Sequence, residues 1–268
     1  MIDPAIQNLL RLADELGQRR LDGRLIDALP GSTTLDERAA YQLQAMLHTR
    51  LSSAGQGIVA GYKIGCTTPV MQRYLNIDHP CAGGIMSSTV AHGNGEFAAL
   101  PQGRIGVECE VAVTLAQALG PATAPHDQHS VATAIASCHA AIEVVADRYT
   151  DFTQLSAPFL IADDFFNRGC VLGPAQADWQ ALDLAALCGQ LWVNDELRGS
   201  GSGADILGHP LAALAWLANR YASLDRTLPA GCFVLLGSVV QTQWLAAGDQ
   251  VKIALDGLGE AEVTILSK

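Results

Sequence analysis

Apolar positions in this chain recur first at helical spacing and then at strand spacing. Residues 4–20 bring Ile6, Leu9, Leu10, Leu12, Ala13 and Leu16 onto one helical face. A second helix is predicted from the Ser32–Leu35 region through AAYQLQAMLHTRLSSAG. Thr34 is its expected N-cap, with Glu37 three residues on completing a capping box. Beyond Gly57 the segments shorten. IVAGYKIG, EFAALPQG, VECEVAVTL, IEVVADRY, FNRGCVLG, LWVNDELRG and CFVLLGSVV read as strands set between Gly, Pro and Asp. Two helices are expected among them, HSVATAIASCHAA and HPLAALAWLANRYASL, the latter with Pro210 near its start. QVKIALDGLGEAEVTIL closes the chain as a hairpin around Gly257-Leu258-Gly259. The pattern predicts an α+β fold: a helical segment over 1–57, then a β-rich, mainly antiparallel core over 58–268 forming one structural unit.

Composition narrows the function. Of 268 residues 49% are hydrophobic and 16% charged, which is enough apolar surface for a large core. The net charge of −11 argues against binding nucleic acid or an anionic membrane, both of which need basic surfaces. Pro229, Gly231, Gly237, Gln241 and Gln243 break the long uncharged stretch near 227–248 into two strands, so it is no membrane span. The N-terminus has no signal-peptide layout, and a cytoplasmic location is expected. Seven cysteines without a CxxC pair form neither a disulfide framework nor a zinc motif. They are expected to be small buried hydrophobes. The SGSGAD stretch lacks the ending of a phosphate loop, and Gly-x-Ser-x-Gly is absent.

The chemistry concentrates in a few charges set among apolar residues. In VECEVAV, strand alternation puts Glu108 and Glu110 on one face, about 6.6 Å apart along the strand. Such a pair is either a solvated face or the beginning of a site for a hard divalent cation. Glu143 stands alone in the apolar run HAAIEVVADRY, either paired with Arg148 or Arg104 or acting as a third oxygen ligand. His139, four residues earlier, is a helix-terminal core histidine or a further ligand. Lys63 is the one charge between Arg50 and Arg73. Beside a carboxylate-bound metal it would anchor a substrate carboxylate or pass protons; otherwise it forms a structural ion pair. Asp78 sits in YLNIDHPCAGG, a loop able to close over a site with an acid/base group, or an ordinary turn before Pro80.

Taken in order, GYKIGCTT, NIDHPCAGG, GVECEVAV, HAAIEVVADRY, LIADD, GSGADILGHPLAALAWLANR, AGCFVLLGSVV and AGDQVKIALDGLGEAEV resemble the fumarylacetoacetate hydrolase superfamily, over roughly residues 5 to 266. They resemble in particular its 2-keto-4-pentenoate hydratase and 4-oxalocrotonate decarboxylase branch. The resemblance implies a β-roll core of mixed strands, usually in homo-oligomers. It also implies Mg²⁺ or Mn²⁺ held by Glu108, Glu110 and Glu143, with Lys63 and Asp78 in proton transfer. In such enzymes a 2-keto acid chelates the metal, which stabilises the dienolate formed when a proton moves. A hydratase then adds water to 2-hydroxypenta-2,4-dienoate, whereas a decarboxylase releases CO₂ from an oxalocrotonate-like diacid.

Two stretches depart from the hydratase pattern. Asp164-Phe165-Phe166-Asn167-Arg168 replaces the usual Asn and small residues after LIAD, and Leu236-Gly237-Ser238-Val239-Val240 replaces a Ser-Gly-x-Leu-Thr stretch. Asp164 and Ser238, together with Lys63, are the expected substrate contacts there. The reading is a metal-dependent 2-keto acid lyase of aromatic-compound breakdown, a hydratase first and a decarboxylase second. A non-catalytic family member that binds a related pathway enzyme is the alternative from another class.

Overall fold

The computed structural model describes residues 3–68, 72–73 and 75–267. Helix α1 (Pro4–Asp22) starts where the Asp3 side chain accepts a hydrogen bond from Ala5 N and stops at Gly23, which takes the left-handed conformation at φ 66°. Helix α2 (Glu37–Leu51) is capped by Asp36, whose side chain accepts from Ala39 N at 2.7 Å. The expected Thr34 cap and its box with Glu37 do not form. Asp36 is the nearer acceptor, and Glu37 instead pairs with Arg220 and with His79 at 3.2 Å. Leu12 and Leu16 of α1 and Leu43 and Leu47 of α2 are fully buried in the same core cluster as the sheet residues Val107, Val111 and Ile142.

The strands are β1 (Val59–Gly65), β2 (Cys81–Met86), β3 (Val90–His92), β4 (Asn94–Ala98), β5 (Arg104–Leu115) and β6 (Ile135–Asp147). After them come β7 (Asn167–Leu172), β8 (Cys188–Val193), β9 (Glu196–Ser202), β10 (Phe233–Ser238), β11 (Gln243–Leu245), β12 (Gln250–Leu255) and β13 (Gly259–Leu266). They join in one sheet in the order β2-β1-β10-β5-β6-β7-β3-β4-β13-β12-β8-β9, with β11 on β5. Most pairs are antiparallel, while β1–β10, β3–β7 and β4–β13 are parallel. Beyond the ladder, β13 and β12 pack on β6 and β8 packs on β5. The sheet therefore rolls back over its own centre, and the α+β reading holds as a mixed β-roll.

One predicted helix is largely strand. Only Gln128–Ala132 of the HSVATAIASCHAA region is helical (α3), capped reciprocally by Asp127 and Ser130. Ile135 already begins β6, in which every residue but one is buried. A strand covered on both faces loses the period-2 alternation, so an alanine-rich run carries no signal that separates it from a buried helix. His139 thus lies mid-strand. It bonds the Thr114 and Ser137 hydroxyls at 2.9 and 3.1 Å and Gly173 O at 3.0 Å, so it is a satisfied core residue. Helix α4 (Ala157–Ala162) packs on α2, and α5 (Pro210–Ser223) buries Leu211, Leu214, Leu217 and Ala218 as its spacing predicts. All seven cysteines are free thiols, and all but Cys188 are buried.

Candidate active site

Five adjacent strands, β1-β10-β5-β6-β7, deliver the site from one face of the sheet. The long β5–β6 ladder sets Glu108 directly opposite Glu143 and Glu110 opposite Ala141. β10 runs beside β5 with Ser238 opposite Glu110, and β1 beyond it carries Lys63 opposite Leu235. A ligand oxygen from each of Glu108, Glu110 and Glu143 lies within 4.8 Å of the others. Lys63 Nζ is 3.2 Å from Glu143 Oε1, and both side chains are almost fully enclosed. The arginine pairing considered for Glu143 does not form. Arg104 pairs with Asp147 at 2.6 Å and Arg148 with Asp163 at 3.1 Å, leaving Lys63 to Glu143.

Each carboxylate is held through one oxygen. Glu108 Oε1 accepts from the Thr242 hydroxyl, Glu110 Oε2 from Gly237 N at 2.9 Å, and Glu143 Oε1 from Asn167 Nδ2 at 2.9 Å. Gly237 manages this at φ 130°, where a Cβ would meet Thr67 Cγ2 at 2.7 Å. The remaining oxygens of Glu110 and Glu143, Oε1 and Oε2, are buried with no hydrogen-bond partner among the described residues. Orphaned buried oxygens are costly, and here they converge from an all-oxygen donor set that fits a hard divalent cation. Thr242, Gly237 and Asn167 orient those carboxylates, as outer partners do at metal sites.

The electrostatics agree. Burial raises the Glu108 and Glu110 carboxyls above the usual carboxylate range; the Glu143 charge pushes the same way, and Lys63 only partly opposes it. Burial alone would drive the Lys63 ammonium down, but Glu143, Glu108 and Glu110 outweigh it and hold the group above its ordinary value. The Phe165 ring stands 5.3 Å from Nζ and forms an apolar wall beside it.

Three expected site residues do not join the carboxylate cluster. The Asp78 side chain is 99% exposed and its charged neighbour is His79 at 4.0 Å, so the structure does not bring it to the carboxylates. The Ser238 hydroxyl is spent on backbone, donating to Val240 O at 2.6 Å while accepting from Val240 N at 3.3 Å. Asp164 is buried with both oxygens committed. Oδ1 meets His48 Nε2 at 2.7 Å and accepts from Gly84 N at 2.8 Å; Oδ2 meets Arg20 at 2.7 Å. It is an anchor, not a substrate contact. Asp164, Phe165 and Phe166 all take left-handed backbone, at φ 58°, 47° and 67°, a conformation costing about 1–2 kcal/mol per L-residue. The Asp164 network pins this turn, which carries Phe165 to Lys63 and Asn167 to Glu143.

Burial alone would raise the Asp164 carboxyl, but His48 and Arg20 outweigh it and hold it well below the usual carboxylate range. Asp164→Asn is therefore expected to cost up to about 3–5 kcal/mol in urea unfolding at neutral pH, since it removes the nearer partner of Arg20 and leaves only Asp163, at 3.7 Å, to balance that buried charge. A group with a depressed folded pKa stabilises above its unfolded value and ceases to as pH falls. The gap between variant and wild type should thus narrow below about pH 4. A gap independent of pH would show that the carboxylate charge is not what holds the turn.

Residues 80–266 match the fumarylacetoacetate (FAA) hydrolase C-terminal family. The chain belongs to that family. A 2-keto-4-pentenoate hydratase of Burkholderia vietnamiensis is 33% identical over 96% of this chain and 97% of its own. A 4-oxalocrotonate decarboxylase of Pseudomonas putida is 27% identical over 94% and 95%. Among solved structures, 4-oxalocrotonate decarboxylase from Pseudomonas putida G7, complexed with magnesium and adipate, superposes with a TM-score of 0.89 at 23% identity, covering 97% of this chain and 98% of that one. That likeness shows a shared fold. The relatives span the helical segment and β1 as well, and so include the strand that carries Lys63.

Proposed function

We propose that the chain is a divalent-metal-dependent 2-keto acid lyase, with Glu108, Glu110 and Glu143 holding Mg²⁺ or Mn²⁺ and 2-hydroxypenta-2,4-dienoate or a close analogue as substrate. The observation that carries this is the convergence of three oriented carboxylates, two with orphaned buried oxygens, against a buried lysine. When bound, the ion supplies Lewis-acid stabilisation of negative charge on the substrate's keto and carboxylate oxygens. The protein's own groups do the rest. Thr242, Gly237 and Asn167 fix the carboxylates in advance. Phe165 and the enclosing strands exclude water from Lys63.

Lys63 is positioned to move the proton. Its ammonium is kept charged by the surrounding carboxylates. As their charge is neutralised, burial pulls the amine back down toward the range where it can both give and take a proton. The same reading places the protein in the cytoplasm as a homo-oligomer in aromatic-compound breakdown, able to associate with a related pathway enzyme. No helix among the described residues is long and apolar enough to cross a membrane.

Decarboxylation of an oxalocrotonate-like diacid is the second reading, supported by the decarboxylase relative over nearly the whole chain. The Phe165 ring beside Lys63 favours hydration, because it suits an apolar vinyl end better than a second carboxylate. A panel of 2-hydroxydienoates with and without a second carboxylate separates the two. Loss of ultraviolet absorbance from the monoacid without CO₂ release is expected. CO₂ release from the diacid would replace hydratase by decarboxylase. Silence across the panel with metal bound would leave the non-catalytic, partner-binding role.

A further inference from the structure

At the bulge of β7, where Arg168 follows Asn167, lies a second concentration of charge. A cavity of about 310 Å³ is lined by Arg19, Arg20, Arg24, Arg148 and Arg168, together with Asp22. Five arginines around one cavity are unexpected in a chain of net charge −11. Four of them are neutralised. Arg19 pairs with Glu15 at 2.8 Å, Arg20 with Asp164 at 2.7 Å, Arg24 with Asp22 at 3.2 Å and Arg148 with Asp163 at 3.1 Å.

Arg168 is the exception. It has no carboxylate partner among the described residues, its one hydrogen bond is a long 3.4 Å contact to Ala98 O, and its Nε is buried without an acceptor. Burial, then the Arg148 and Arg20 charges, push its guanidinium below arginine's ordinary value. A guanidinium does not shed its proton at physiological pH, so the surplus charge calls for an anion from outside the chain. Carboxylate and phosphate oxygens match the planar fork of the guanidinium.

We propose that this cavity binds a small, doubly charged oxyanion, of the inorganic phosphate or short dicarboxylate kind, with Arg168 as its main contact. The site is independent of the carboxylate cluster. Arg168 is the extra residue of a β-bulge between the pairs Val144–Gly169 and Val145–Asn167, and the cavity is lined by Ala98 and Ala146 rather than by Glu108, Glu110, Glu143 or Lys63.

Calorimetric titration of the metal-free protein with phosphate and, separately, with succinate tests this. Saturable binding of at least one anion, with a Kd of about 1 mM or tighter, is expected. Whichever binds more tightly identifies phosphoryl or dicarboxylate as the preferred source. Arg168→Gln should weaken that binding at least about tenfold, Arg168→Lys should keep part of it, and Lys63→Met should leave it unchanged. The proposal is overturned if neither anion saturates, if Arg168→Gln binds like wild type, or if the loss appears in Lys63→Met instead. Arg168 supports no carboxylate, so its variants should fold; Arg168→Lys, which preserves the charge, checks that any loss is due to the ligand contact.

Discussion

Glu110→Gln is expected to lower divalent-metal affinity at least about 100-fold while leaving the metal-free protein no less stable. Outer-shell substitutions at metal sites already cost about 10–100-fold, and Glu110 offers a ligand oxygen itself. The stability half follows from repulsion. With no ion between them, three carboxylates within 4.8 Å oppose one another, and burial adds to the cost of charging Glu110. Glutamine keeps the carbonyl that accepts from Gly237 N and removes the charge. Calorimetry with Mn²⁺ and thermal melts of the metal-free variant read the two halves separately. Metal binding at wild-type strength would remove Glu110 from the site. A large drop in the metal-free melting temperature would mean that its charge serves the fold rather than an ion.

Lys63→Met is expected to divide the properties differently, cutting turnover by about 10²–10⁴ while metal affinity stays the same or rises. The ammonium lies 3.2 Å from Glu143 and acts on Glu108 and Glu110 as well. Its removal leaves the carboxylates more negative and so more attractive to a cation. The metal-free variant should lose about 3–5 kcal/mol at neutral pH, because Glu143 keeps a buried charge without its partner. Added Mg²⁺ or Mn²⁺ should restore more of that stability than it adds to wild type. Turnover unchanged in Lys63→Met would exclude the lysine from proton transfer. Lost metal binding would make it part of the receptor.

Much of the carboxylate cluster was legible because local patterns carry it. Glu108 and Glu110 share a face through the period of a strand, and Glu143 and Lys63 stand out as lone charges in apolar runs. Their orienting partners were not legible. Thr242 reaches Glu108 because β11 joins the edge of β5, and Gly237 reaches Glu110 because a positive φ turns its N–H inward. Asp164 read as a substrate contact because it opens a stretch that departs from the hydratase pattern. Its actual partners are Arg20, 144 residues away, and His48, 116 residues away. Asp78 shows the converse, a suitable residue in a suitable loop whose side chain faces solvent.

Local pattern is enough for the elements with a clean period, the α+β class and the four charged groups set among apolar strand residues. Each of these depends on residues within a turn or two of one another. Long-range packing makes β6 a strand throughout, since burial on both faces erases the local period. It alone placed three carboxylates and a lysine from three strands within reach of each other, and turned Asp164 toward the helices. It also left Arg168 without a countercharge among the described residues. Those outcomes are set by long-range strand order and packing, which no neighbouring residue encodes.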